Sequence, residues 1–278
     1  MTQRFTGRRA VVTGASRGIG AGIAQRLCAE GADVLLVART LETSDGTGGS
    51  LHETQQLCEK YGTTVGIVVA DITDDADRSR VMPEATAILG GPIDILVNNA
   101  AAATTAPITE ITPTQQRLAY EANVIAPLAL AQTVIPAMRE SGQGWIVNLT
   151  SVGATVVEGP PFYLGPQGST MEIYGATKAA LNRTTAGLAG DLYGTGIRVN
   201  AVGPRVAVMS EGFAELMGDA LPAEFFESVE EVVEAVVALC DCDSETTGKI
   251  RYSLDLIEQW KLDVRELDGS PQARDGQL

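Results

Sequence analysis

Tyr174 and Lys178 stand one helical turn apart in the run Ile173-Tyr174-Gly175-Ala176-Thr177-Lys178. On a helix, residues four apart share a face, so an ammonium lies beside a phenol and favours its ionised form. A phenol left alone titrates at about 10 and is idle at neutral pH, whereas one held beside a cation can give or take a proton. A second constellation lies near the N-terminus, where an apolar run, Ala10–Thr13, leads into Thr13-Gly14-Ala15-Ser16-Arg17-Gly18-Ile19-Gly20. Glycines between a strand and a helix present backbone N–H groups and a positive helix end, which together suit a pyrophosphate. Their spacing is G-x-x-x-G-x-G rather than the G-x-G-x-x-G of the common dinucleotide fingerprint.

These groups need a scaffold that repeats strand and helix. Short runs rich in Val, Ile and Leu alternate with longer helical patterns almost to the end of the chain, the mark of a parallel sheet covered by helices on both faces. The strands are expected at Ala10–Thr13, Val34–Ala38, Val65–Ala70, Ile93–Asn98, Trp145–Thr150, Ile197–Val202 and Lys249–Leu254. The helices are expected at Gly18–Ala29, Leu51–Tyr61, Asp74–Leu89, Pro113–Ser141, Ile173–Tyr193 and Ser228–Cys240. Ligands of an open parallel sheet bind beyond the carboxyl ends of its strands, so the irregular stretches 153–170 and 203–222 are expected to form a substrate pocket. The Gly, Ser and Thr-rich stretch Thr43–Ser50 is expected to edge a cofactor site, and 268–278 reads as a disordered tail after one domain spanning 1–267.

The glycine turn, Asn98-Asn99-Ala100 after the fourth strand, Ser151 after the fifth, and Tyr174 with Lys178 together resemble the classical short-chain dehydrogenases/reductases, in the right order over about residues 6–255. The resemblance implies an α/β fold, a single Rossmann-like doubly wound parallel sheet of about seven strands in the order 3-2-1-4-5-6-7. It implies an oxidoreductase that interconverts a ketone or aldehyde with an alcohol. Tyr174 would be the general acid/base, and Lys178 would lower its pKa and hold the nicotinamide ribose. Ser151 would bond the substrate oxygen, and Asn123 would hold a water relaying protons to Lys178. Cofactor contacts would come from Gly14, Ser16, Arg17, Gly18, Ile19 and Gly20, from Asp71 at the adenine with Ile72, from Asn99 and Ala100 at the adenosine ribose, and from Pro204 and Val206.

Cofactor choice turns on the end of the second strand, where an acid would bond the ribose 2′-hydroxyl of NAD and repel a 2′-phosphate. This chain has Ala38 and then Arg39, with Arg17 in the glycine turn as a second guanidinium. Two such forks suit a phosphate, so NADP(H) is expected over NAD(H). Three positions depart from the family pattern: Ala101 stands where a glycine is usual, Arg205 follows Pro204 in place of a glycine, and Val208, Met209 and Ser210 lack the usual Thr. They keep open an alternative, a dinucleotide-binding sensor or scaffold of the same fold without turnover. Phe162, Tyr163 and Leu164, in a longer connection than usual, suggest an apolar wall and a fairly hydrophobic carbonyl or alcohol. Arg205 offers a partner for a substrate carboxylate or for the cofactor diphosphate.

The bulk numbers exclude other classes. Residues 211–278 hold 17 acids against 5 bases within a chain of net charge −15. Nucleic acid is therefore not expected as a partner, because binding it needs a basic surface. No membrane span or export signal is read, so a cytoplasmic protein is expected. Cys28, Cys58, Cys240 and Cys242 form no CxxC pair and read as buried thiols, with no metal site. The only histidine, His52, is expected at the start of the second helix, far from the strand ends that carry Ser151, which argues against a Ser-His-Asp hydrolase. The family commonly assembles through the long helix after its fourth strand and the Tyr-bearing helix. Here Gly175, Ala176, Ala179, Ala180, Ala186, Gly187 and Ala189 would let such helices approach, so a homodimer or homotetramer is expected.

Overall fold

The computed structural model describes residues 3–43, 48–103, 105–162, 168–208 and 226–272. Its main sheet holds β1 (Arg9–Thr13), β2 (Asp33–Ala38), β3 (Val65–Val69), β4 (Ile95–Asn98), β5 (Gly144–Leu149), β6 (Ile197–Gly203) and, at one edge, β9 (Ile250–Tyr252). The order is β3-β2-β1-β4-β5-β6-β9, with every pair parallel. This is the expected order, and it places the reversal of winding between β1 and β4. Neighbouring side chains of a strand face opposite ways, so Val12, Leu36 and Val97 enter one core while Val11, Leu35 and Leu96 enter the other. A sheet buried on both faces has no polar side, which is why its strands read as continuous apolar runs.

Helices α1 (Gly18–Ala29), α2 (Leu51–Glu59), α7 (Val229–Leu239) and α8 (Ser253–Trp260) pack on the first face. The other face carries α3 (Asp75–Leu89), α4 (Pro113–Tyr120), α5 (Ala126–Ser141) and α6 (Glu172–Asp191). Between α4 and α5 the chain makes one π turn, Glu121–Ile125, so the expected helix Pro113–Ser141 is continuous but under-wound at one point. By composition that span is apolar and long enough to cross a membrane, yet half of its apolar window is buried, as in a core helix. Two helices begin at reciprocal capping boxes, Thr112 with Gln115 and Ser228 with Glu231, where side chains satisfy the first N–H groups.

The last strand is shorter than expected. Ser253 starts α8 instead of continuing the strand to Leu254, and Leu256 of that helix is buried in the first core. A second, two-stranded sheet pairs β7 (Ala207–Val208) with β8 (Phe226–Glu227), and both strands are too short to carry a period. Of the stretch from Asp268, residues as far as Pro271 make a turn closed by a bridge to Arg265. Residues 273–278 lie outside the described residues, as do Tyr163, Leu164, Met209 and Ser210.

Candidate active site

At the end of β1 the chain turns through Gly14 and Gly18, both with positive φ (66° and 56°), a conformation that favours glycine. Gly20 is needed for a different reason: a Cβ there would lie 2.1 Å from Gly14 O and 2.4 Å from Asn99 Nδ2. The missing side chain lets α1 press its first turn against the strand end. That helix opens at Arg17 with no side-chain cap and no acid in its first turn, so the charge at its positive end suits an anion.

Asn99 locks the turn from the neighbouring strand. Its Nδ2 donates to Thr13 O (2.9 Å) and Gly14 O (3.1 Å), while Thr13 Oγ1 accepts from the N–H groups of Asn99 and Ala100. The Asn99 amide therefore shapes the cradle, and Thr13, which was not singled out from the sequence, is its counterpart. Ser16 and Ile19 lie half-buried around the same turn.

Beyond β2 and β3, Arg39 and Asp71 meet: the guanidinium, 75% exposed, lies 3.7 Å from Asp71 Oδ2. Burial pushes the Asp71 carboxyl up, but hydrogen bonds from Thr73 N and Oγ1, with the nearby Arg39, outweigh it and hold it below the usual carboxylate range. Ile72, next to it, is buried in the second core. Arg17 and Arg39 thus stand at the two strand ends where the sequence placed them.

The residues expected to be catalytic meet at the end of β5. Ser151 follows that strand, and its Oγ accepts from Gly153 N at 3.1 Å. Helix α6 can approach because Gly175 has no side chain; a Cβ there would meet Gly153 O at 2.4 Å. Tyr174, half-buried on α6, is hydrogen-bonded to Ser151. Burial pushes the Tyr174 phenol above its ordinary range and outweighs the Ser151 bond, which pulls the other way. Lys178 is 2% exposed, donates from Nζ to Leu149 O at 2.7 Å, and lies 5.6 Å from the Tyr174 ring centroid. Its own pKa falls to about 8 through burial. The phenol is thus shifted upward, the opposite of the lowering expected from Lys178. An ammonium has three N–H donors, and the Leu149 bond uses one of them.

Asn123 sits in the π turn and is fully buried. Its Oδ1 accepts from Ala102 N, and its Nδ2 donates to Ala102 O and to Thr177 Oγ1, each at 2.9 Å. The amide thus ties the loop after β4 to the Tyr-bearing helix. Both of its N–H groups are engaged, and one acceptor lone pair is left for a water. Pro204 and Val206 follow β6 on the other side of β5. Arg205, between them, lies 3.6 Å from Asp255 and 5.8 Å from the Tyr252 ring centroid, with protein partners of its own. Phe162 is exposed, and a Cβ on Gly159 would meet its ring.

The residues present fit a dinucleotide. They supply a collision-limited glycine cradle at a helix N-terminus, two guanidiniums where an adenosine ribose would lie, and a buried ammonium with donors to spare beside a phenol and a hydroxyl. Residues 8–216 match the family model of the short chain dehydrogenases. L-xylulose reductase of Bos taurus is 33% identical over 261 residues, covering 89% of this chain and 95% of its own. Gluconate 5-dehydrogenase of Gluconobacter oxydans is 34% identical over 245 residues, covering 84% and 88%. Among solved structures, L-sorbose reductase from Gluconobacter frateurii, complexed with NADPH and L-sorbose, superposes with a TM-score of 0.75 at 29% identity, covering 91% and 97%. The chain belongs to the short-chain dehydrogenase/reductase family. It is an NAD(P)-dependent oxidoreductase acting on CH–OH groups and the corresponding ketones.

Proposed function

We propose that the protein is an NADP(H)-dependent carbonyl reductase or alcohol dehydrogenase with Tyr174 as its general acid/base. The observation that carries this reading is the grouping of Ser151, Tyr174 and Lys178 where β5 meets α6. The nicotinamide, when bound, supplies or accepts the hydride. Ser151 Oγ donates to the substrate oxygen and orients it. Tyr174 delivers a proton to that oxygen as negative charge develops, and takes it back in the oxidative direction. Lys178 holds the ribose through its remaining donors and supplies the positive field that opposes the effect of burial on the phenol. Asn123 holds the loop after β4 against α6, with one lone pair for a relaying water.

The exposed Arg39, with Arg17 across the turn, supports NADP(H). The exposed Val156, Val157 and Phe162 beyond Ser151 support an apolar wall and a moderately bulky carbonyl. The relatives' names point instead to polyhydroxylated carbonyls, so a useful substrate panel contains both kinds. The groove between α5 and α6, lined by Pro127, Leu128, Leu181 and Leu188, supports assembly into a homodimer or homotetramer. Four reduced, buried cysteines support a cytoplasmic setting.

Comparing NADPH with NADH tests the cofactor reading. The wild type binds NADPH more tightly, and Arg39→Asp weakens NADPH binding at least about tenfold while NADH binding holds or improves, since a charge-assisted phosphate contact is lost and a repulsion gained. A wild type that prefers NADH would sink this reading. NADPH binding without oxidation across the whole panel would favour the sensor or scaffold alternative.

A further inference from the structure

One buried acid takes no part in the chemistry above. Glu227, in β8, is 3% exposed, and its Oε1 accepts from the backbone N–H groups of Arg205 (2.5 Å) and Val206 (3.0 Å). Its Oε2 accepts from Ser253 Oγ, at the start of α8. Two consecutive N–H groups turned on one oxygen form a concavity of the kind that holds anions, and here the chain supplies the anion itself. Burial pushes this carboxyl above the usual carboxylate range, while Ser253, Val206 and Arg205 pull it the other way.

The stretch that Glu227 grips lies just beyond β6, where the main sheet's ladder offers those N–H groups no partner. The end of β6 is itself tight against the catalytic strand: a Cβ on Gly203 would fall 2.4 Å from Thr150 O and 2.8 Å from Ser151 N. Ser253 Oγ also lies 3.4 Å from Gly203 O. The carboxylate therefore joins three pieces at one corner of the site: the segment after β6, the short β7–β8 sheet, in which Val208 pairs with Glu227, and the first turn of α8. Arg205 stands where the family has a glycine, so this chain holds by an internal acceptor a backbone that carries an extra side chain.

We propose that Glu227 is a positioning residue for the nicotinamide half of the cofactor: its carboxylate fixes the backbone of Pro204–Val206 relative to Ser151. The proposal rests on the cofactor reading above. Its test is a calorimetric titration of wild type, Glu227→Ala and Glu227→Gln with NADPH and with adenosine 2′,5′-bisphosphate, which carries the adenosine end alone. Glu227→Ala strands two buried N–H groups and weakens NADPH binding about tenfold while binding of the fragment is unchanged. Glu227→Gln keeps a carbonyl for both N–H groups and restores NADPH binding to within about twofold of wild type. Unchanged NADPH affinity in Glu227→Ala, or a parallel loss of both ligands, overturns the proposal. If Glu227→Ala does not fold, Ser253→Ala decides: several-fold weaker NADPH binding with unchanged fragment binding supports the proposal, and unchanged NADPH binding overturns it. A wild type that binds neither ligand sinks the cofactor reading itself, a result distinct from a wild type and a Glu227→Ala variant that bind both ligands alike.

Discussion

Lys178 is held almost out of water with one backbone acceptor, and burial brings its pKa from the ordinary value of 10.5 to about 8. Between those two values the unfolded chain keeps a proton that the folded chain has released, so this residue makes stability rise with pH across that window. Below about pH 8 the buried charge is a full cost, equivalent for the whole shift to about 3 kcal/mol. Lys178→Met is therefore expected to melt above wild type at neutral pH, with the difference closing as pH rises from 8 toward 10.5. Tyr174, whose pKa is raised, acts in the opposite sense above about pH 10 and does so in both proteins. Melting curves at several pH values check this, and two proteins whose melting temperatures stay parallel throughout would contradict it.

At the residue level the sequence pointed to Tyr174, Lys178 and Ser151, by type and spacing, as residues that come together. It did not show how the amides of Asn99 and Asn123 are used, since their partners Thr13, Gly14, Ala102 and Thr177 come from other elements. Nor did it show Glu227, whose partners Arg205, Val206 and Ser253 are more than 20 residues away in the chain. The ammonium's position against the Tyr174 ring was also hidden, because helical spacing fixes a shared face and not a rotamer.

Among the elements, the strands and long helices were legible because the main sheet is buried on both faces and its helices are amphipathic. What was missed is short: β7 and β8 have two residues each, and α8 begins at the residue that ends an edge strand. The π turn at Glu121–Ile125 leaves the apolar pattern of Pro113–Ser141 unbroken and so leaves no trace in it. Its effect is local, aiming Asn123 at the loop after β4. A fully buried Arg26 bonded to Glu30 and Glu234 ties α1 to α7 behind the glycine turn, a contact that helix periodicity does not suggest. The α5–α6 groove gives a prediction at this scale. The wild type sediments with the mass of two or four 29.1 kDa chains, and Leu128→Glu, which puts a charge in that groove, shifts it to a single chain. A wild type that is monomeric at micromolar concentration would count against the assembly.

Taken whole, the molecule is one α/β unit whose strand ends gather the anion cradle, the two arginines and the phenol, hydroxyl and ammonium on one side of the sheet. The expected strand order followed from the family resemblance, and the sheet has it. The acidic stretch 211–278 carries most of the net charge, and from its described residues Glu227 and Asp255 hold the segment after β6. Carbonyl-dependent oxidation of NADPH by wild type and by Tyr174→Phe is the most direct measurement of the central claim. The wild type is expected to turn over and the variant to be slower by about 10²–10⁴-fold, the usual worth of a positioned proton donor, with NADPH binding intact. Turnover in Tyr174→Phe at the wild-type rate would contradict it.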